Sequence, residues 1–132
     1  MAIELQFDPA ARLAVISQVG DLDVPFLTEA ERLLDQAAVD PSCDLVLDLK
    51  RVANAPSMIA GLALGSFWAD HRTRFLGRVA AVAPPPLHSR KGLAVMEAAA
   101  RIASVDLHVF DSQAACDEWL AAATACDLPG SA

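Results

Sequence analysis

Polar and apolar residues alternate at the start of the chain. Ile3, Leu5 and Phe7 are separated by Glu4 and Gln6, the period-2 pattern of a half-buried strand. Asp8-Pro9-Ala10-Ala11 reads as a turn, and Leu13, Val15 and Ile16 as a second strand ending by Gly20, so the chain opens with a hairpin. The spacing then becomes helical through Leu27, Ala30, Leu34 and Ala37. Asp23 is a candidate N-cap with Pro25 in the first turn, and Thr28 with Glu31 forms a rival capping box, which leaves the helix start open by several residues. Pro41 is expected to close this helix.

Leu45-Val46-Leu47 enters a third strand. Asn54-Ala55-Pro56-Ser57 follows as a short turn with a capping serine. A helix that is apolar almost all round then runs from about Met58 to His71 or Phe75. Gly77 breaks the chain, and Val79 to Ala83 is a continuous apolar run of strand type, ended by Pro84-Pro85-Pro86. Ser89 is expected to cap a third helix with Leu93, Met96, Ala100 and Ala103 on its inner face. Val105 to Phe110 alternates as a fifth strand. Asp111 is expected to cap a last helix with Ala115, Trp119 and Leu120 facing inward. The order is ββαβαβαβα, which predicts an α/β fold with a mainly parallel central sheet, helices packed on it and right-handed crossovers. Residues 1–126 read as a single domain and 127–132 as a flexible tail.

Composition narrows the function. Ten basic against seventeen acidic residues give a net charge of -7, which argues against nucleic acid as a partner because a basic face is needed there. The hydrophobic share of 55% and a mean hydropathy of +0.37 leave spare apolar surface for a partner or ligand. The longest apolar run, Met58 to Ala69, falls short of the ~20 residues of a membrane span. Cys43, Cys116 and Cys126 form an odd set without close spacing, and no basic n-region or apolar h-region opens the chain. The expected location is therefore the cytoplasm.

Catalytic and metal signatures are absent from the pattern. His71, His88 and His108 fall on different elements, and no His/Cys/Asp group has ligand spacing, so no metal or cofactor is expected. The cysteines read as small apolar side chains. Without a paired nucleophile and base or a phosphate loop, the chain is expected not to be an enzyme. One charge asymmetry remains: Arg72, Arg74, Arg78, Arg90 and Lys91 follow one another with no acid between His71 and Met96. A solvated edge and an anion or acidic-partner site are both consistent with that run.

Three stretches together resemble the STAS domains (sulfate transporter and anti-sigma factor antagonist), most closely the SpoIIAA-like family. Leu45-Val46-Leu47-Asp48-Leu49 followed by Val52 is similar to the family's third strand. Trp68-Ala69-Asp70-His71-Arg72 through Phe75 into Arg78-Val79-Ala80-Ala81-Val82 is similar to its second helix and fourth strand. Val109-Phe110-Asp111, Ala115 and Glu118-Trp119-Leu120 are similar to its closing strand and helix. The resemblance spans roughly Ile3 to Leu120 and implies a protein-interaction or regulatory role. Anti-sigma factor antagonists carry Asp-Ser-Ser-Gly-Leu at the start of the second helix, where one serine is phosphorylated. Here that place reads Pro56-Ser57-Met58-Ile59-Ala60, so only Ser57 survives, either as a helix cap or as a phosphorylation site.

Two surfaces are therefore expected to carry function. Asn54, Ser57, His88, Ser89, Arg90 and Lys91 would form an anion or partner site where two helices begin at the carboxyl edge of the sheet. Met58, Leu62, Leu64, Trp68 and Phe75 would form an apolar surface for a partner protein, a second copy in a homodimer, or a ligand. A carrier of a small amphipathic, lipid-like or anionic ligand is the competing class.

Overall fold

In the computed structural model, described for residues 2–54, 56–84 and 90–126, the opening hairpin is β1 (Ala2–Asp8) paired antiparallel with β2 (Leu13–Asp21). Its turn is held by the Asp8 carboxylate, which accepts from the backbone N–H groups of Ala10 at 3.0 Å and Ala11 at 3.2 Å. The first helix, α1 (Val24–Gln36), starts where Asp23 predicts: the Asp23 carboxylate accepts from the Phe26 N–H at 2.9 Å. Thr28 is inside the helix and donates to the Val24 carbonyl, so the rival box does not form. The helix stops before Pro41, with Ala38 in the left-handed region at φ 55°.

After β3 (Asp44–Asp48) the Asp48 carboxylate accepts from the Lys50 N–H at 3.1 Å and turns the chain. A three-residue strand, β4 (Val52–Asn54), then resumes pairing with β2 across a bulge at Gly20, where φ is +121°. This strand is additional to the expected order, so the expected fourth and fifth strands are β5 (Val79–Val82) and β6 (Leu107–Phe110). Before β5 lie α2 (Met58–Asp70) and a 3-10 turn at Arg72–Arg74, and between β5 and β6 lies α3 (Lys91–Ile102). The last helix is α4 (Gln113–Cys126).

The sheet runs β1-β2-β3-β5-β6, with every pairing after the hairpin parallel. Each crossover moves one way along the sheet, and buried residues of α1, α2 and α3 join one core cluster, so the three cover the same face, as the right-handed crossover rule leads one to expect. Ala14, Ile16, Leu45, Leu47, Val79, Ala81 and Leu107 point into that layer with Phe26, Leu64, Trp68 and Met96. The opposite face has a smaller cluster, Val46, Ala80, Val82 and Cys116, beneath α4. α2 lies against α1 and α3, and its Leu64, Phe67 and Trp68 join the core over the sheet, so three of its sides are covered by its own domain. No described helix is long and apolar enough to cross a membrane.

Candidate functional site

The carboxyl edge of the sheet brings the amino ends of α2 and α3 together. Ser57 has the extended backbone of an N-cap, and its Oγ accepts from the Ala60 N–H at 3.1 Å. Gly92, in the first turn of α3, lies against the carbonyls of Pro56 and Ser57, and Gly61 one turn into α2 lies against the carbonyl of Gly92. Any side-chain carbon at either glycine would collide with backbone, so these helices touch main chain to main chain. No space is left for a carried ligand between them at that level.

Arg90, not Ser89, flanks the described start of α3, and its side chain makes no cap bond. Its guanidinium donates to the Pro84 carbonyl at 2.9 Å and pairs with Asp111 at 3.4 Å. Asp111 was the expected cap of α4, but that bond is made by Ser112, whose Oγ accepts from the Ala115 N–H at 3.1 Å. The anion beside Arg90 is thus supplied by the chain itself. Lys91 is exposed on the first turn of α3. Asn54 ends β4, whereas His88 and Ser89 lie outside the described residues, as does the expected tail at 127–132.

The rest of the basic run is dispersed. Arg72 donates to the Ala69 carbonyl at 3.0 Å. Arg74 reaches α1, pairing with Asp35 at 2.7 Å and donating to the Val39 carbonyl at 2.8 Å. Arg78 grips Asp44 through two nitrogens, donates to the Leu120 carbonyl at 3.2 Å and lies over the Trp119 ring at 5.5 Å. It is a clamp joining α4 to the amino ends of β3 and β5. Ion pairs reaching 34 and 39 residues away leave no local signature, so sequence spacing could not reveal them.

The apolar surface needs a correction. Leu64, Trp68 and Phe75 are core residues, 0%, 1% and 6% exposed, and cannot meet a partner without unfolding. What remains outside is Met58 at 55%, Ile59 at 82% and Leu62 at 57% exposed, all in the first two turns of α2. Ile59, left out of the expected surface, is its most exposed member. On α3, Ile102 is 86% exposed as well.

Other chemistry is sparse among the described residues. Cys43 and Cys116 are buried, free thiols, and burial together with the nearby Asp117 carboxylate pushes the Cys116 thiol above its ordinary range. No described group of three His, Cys, Asp or Glu side chains could hold a metal ion. A cleft of about 590 Å³ opens at the amino ends of the strands between Ala10, Leu13, Leu120 and the Asp44–Arg78 pair. That is the opposite end of the sheet from Ser57.

No family model matches the chain, and no curated protein sequence matches it. Among solved structures the chain is similar to the anti-sigma factor antagonist SpoIIAA in its unphosphorylated form. The match is 19% identical, has a TM-score of 0.45, and covers 96% of this chain and 100% of that one. This is the family whose pattern the strands and helices resemble in sequence.

Proposed function

We propose that the chain is a non-enzymatic protein-interaction or regulatory module whose docking face is the amino-terminal half of α2. The observation that carries this reading is the exposure of Met58, Ile59 and Leu62 side by side at the start of one helix. Full burial of such a side chain is worth about 1.5–3 kcal/mol, so Ile59 forgoes most of that and Met58 and Leu62, little more than half exposed, about half, which a partner surface can recover. Ser57 adjoins this face, is exposed, and sits at a helix amino end. A phosphate there would add about -1.5 to -2 charges next to the apolar residues and change which partners can dock.

Native mass spectrometry of the purified chain, beside an Ile59→Asp/Leu62→Asp variant, tests the reading. A dimer or protein complex that the variant loses supports it. A small molecule retained by the wild-type chain and lost from the variant would instead establish a carrier. A dimer or protein complex that the Ile59→Asp/Leu62→Asp variant keeps unchanged, other than a dimer paired through the edge of β1, would overturn the docking face.

A further inference from the structure

We infer that the open edge of β1 is a self-association surface, where a second copy of this chain adds its own β1 antiparallel and joins the two sheets. This surface belongs to a different element from the α2 docking face and stands or falls separately from it.

The hydrogen-bond phase of the sheet fixes which groups are free. The Asp44 N–H of β3 donates to the Arg12 carbonyl at 2.9 Å, and the parallel register sets Leu13 beside Asp44. Even-numbered residues of β2 therefore turn their main-chain groups to β3, and Leu13, Val15, Ser17 and Val19 turn theirs to β1. Their partners there are Asp8, Gln6, Glu4 and Ala2. The N–H and C=O groups of Ile3, Leu5 and Phe7 are left pointing off the sheet. Among the described residues these groups have no hydrogen-bond partner.

The opposite edge is guarded. In β6 the carbonyls of Asp106 and Phe110 accept from Val79 at 2.9 Å and Ala83 at 2.8 Å, so Leu107 and Val109 face outward. The Leu107 N–H is taken by the Val105 carbonyl at 2.9 Å, and the Val109 N–H by the Glu97 carboxylate at 2.5 Å. Both outward donors of β6 are thus used within the chain. β1 has no such partner for its donors, and its seven residues include neither proline nor lysine. An edge of that length with free donors and acceptors is a template for another strand.

Self-complementarity selects the occupant. With a two-fold axis at Leu5, the two Leu5 residues pair with each other and Ile3 pairs with Phe7 of the second copy. Every free N–H then meets a free C=O. Opposite Glu4 stands Gln6 of the second copy. Moving the axis to Glu4 would set that carboxylate against its own copy, and moving it to Gln6 would set Ile3 against Pro9, which has no N–H. In the Leu5 register Glu4 meets Glu4 and Asp8 of the second copy only on diagonals, at about 7–8 Å. Arg51 lines the same hollow as Glu4, and the Asp8 carboxylate is held by the Ala10 and Ala11 N–H groups. Ile3, Leu5 and Phe7 are half-buried at the margin of the larger core, and the second copy prolongs that apolar row. The charge of -7 on each copy opposes approach at range, so added salt should strengthen the pairing.

Sedimentation velocity of the full chain over a concentration series tests this. One strand edge is a small contact, so a Kd of roughly 0.1 mM is expected. Amide exchange should slow with concentration at Ile3, Leu5 and Phe7 and stay constant at Glu4 and Gln6. Leu5→Lys and Leu5→Glu should each weaken the dimer at least about tenfold, and mixing the two chains should restore it, because position 5 meets itself. Gln6→Lys, at an exposed position opposite Glu4, should tighten the dimer about threefold or more and Gln6→Glu should weaken it, while Ala98→Lys on exposed α3 leaves it unchanged. Circular dichroism checks that each variant is folded, and the Gln6 pair carries the test if a Leu5 variant is not. A chain that stays monomeric well above that concentration would overturn the inference. So would Gln6→Lys and Gln6→Glu shifting the dimer alike, or folded Leu5→Lys and Leu5→Glu chains that fail to pair when mixed. A dimer lost by Ile59→Asp/Leu62→Asp and kept by the β1 variants would overturn it too, and would leave α2 as the docking face.

Discussion

Replacing Gly61 by alanine sets two effects of known sign against each other. In a helix interior the change ordinarily stabilises by about 0.8–1 kcal/mol through propensity. Here the new methyl group would point at the carbonyl oxygen of Gly92, with the carbonyl carbon and Cα of that residue immediately behind. A relaxed carbon contact needs about 3.5 Å, so α2 and α3 would have to part by about 1 Å at their amino ends. The obstacle is main chain and cannot rotate away, which places the strain in the upper part of the usual ~1–3 kcal/mol for overpacking. The expected net result is a loss of about 1–2 kcal/mol. Urea unfolding should show a midpoint lower by about 0.3–2 M with an unchanged slope, given slopes of about 1–3 kcal/mol/M for small domains. Ser66→Ala is exposed on the same helix and should be stabilising by a few tenths, about 0.5 kcal/mol at most. A Gly61→Ala chain with a midpoint at or above wild type would refute the close contact between α2 and α3.

Other outcomes follow from single contacts. Ser57→Ala removes the cap on Ala60 and should cost about 1 kcal/mol in urea unfolding, whereas Ser57→Asp should keep wild-type stability; equal midpoints for all three chains would mean the cap bond is idle. Ala38 and Ser104 have left-handed backbones at φ 55° and 73°, so glycine at either position should stabilise by about 0.5–1 kcal/mol, and a lowered Tm would contradict that geometry. Arg78→Met leaves Asp44 half-buried without its cation and should cost about 2–3 kcal/mol, less than a fully buried pair because both side chains keep some water. Hydrogen exchange should then quicken in α4 first, and unchanged protection there would show that the clamp does not hold the helix.

The parts of the fold legible in sequence are those set by local patterns. Alternation gave the hairpin strands, continuous apolar runs gave β3 and β5, and the residue types at Asp23 and Ser57 gave two helix starts that the capping bonds confirm. Two other residues of this kind misled: Arg90, not Ser89, flanks α3, and of the neighbours Asp111 and Ser112, both apt to cap, Ser112 makes the bond while Asp111 pairs with Arg90. The short β4 was invisible because three residues carry no periodicity. The apolar surface was half legible. All-round apolarity in α2 correctly announces a helix with more than one covered side, but which residues stay outside depends on where α1 and α3 pack. That packing buries Leu64, Trp68 and Phe75 and leaves Ile59 bare. The basic run misleads for the same reason, since its partners Asp35, Asp44 and Asp111 come from other elements.

The sheet's two faces are also completed at different times. Every strand and the three helices of the larger layer precede α4 in the chain, so during synthesis the main core can close while the second face is still uncovered. Val46, Ala80 and Val82 then form a bare apolar patch on an otherwise folded body until α4 arrives and Arg78 fastens it. A message truncated just after Phe110 would therefore yield a sticky, compact product rather than an unfolded one. Its fate would be decided by aggregation and chaperone capture rather than by loss of the larger core.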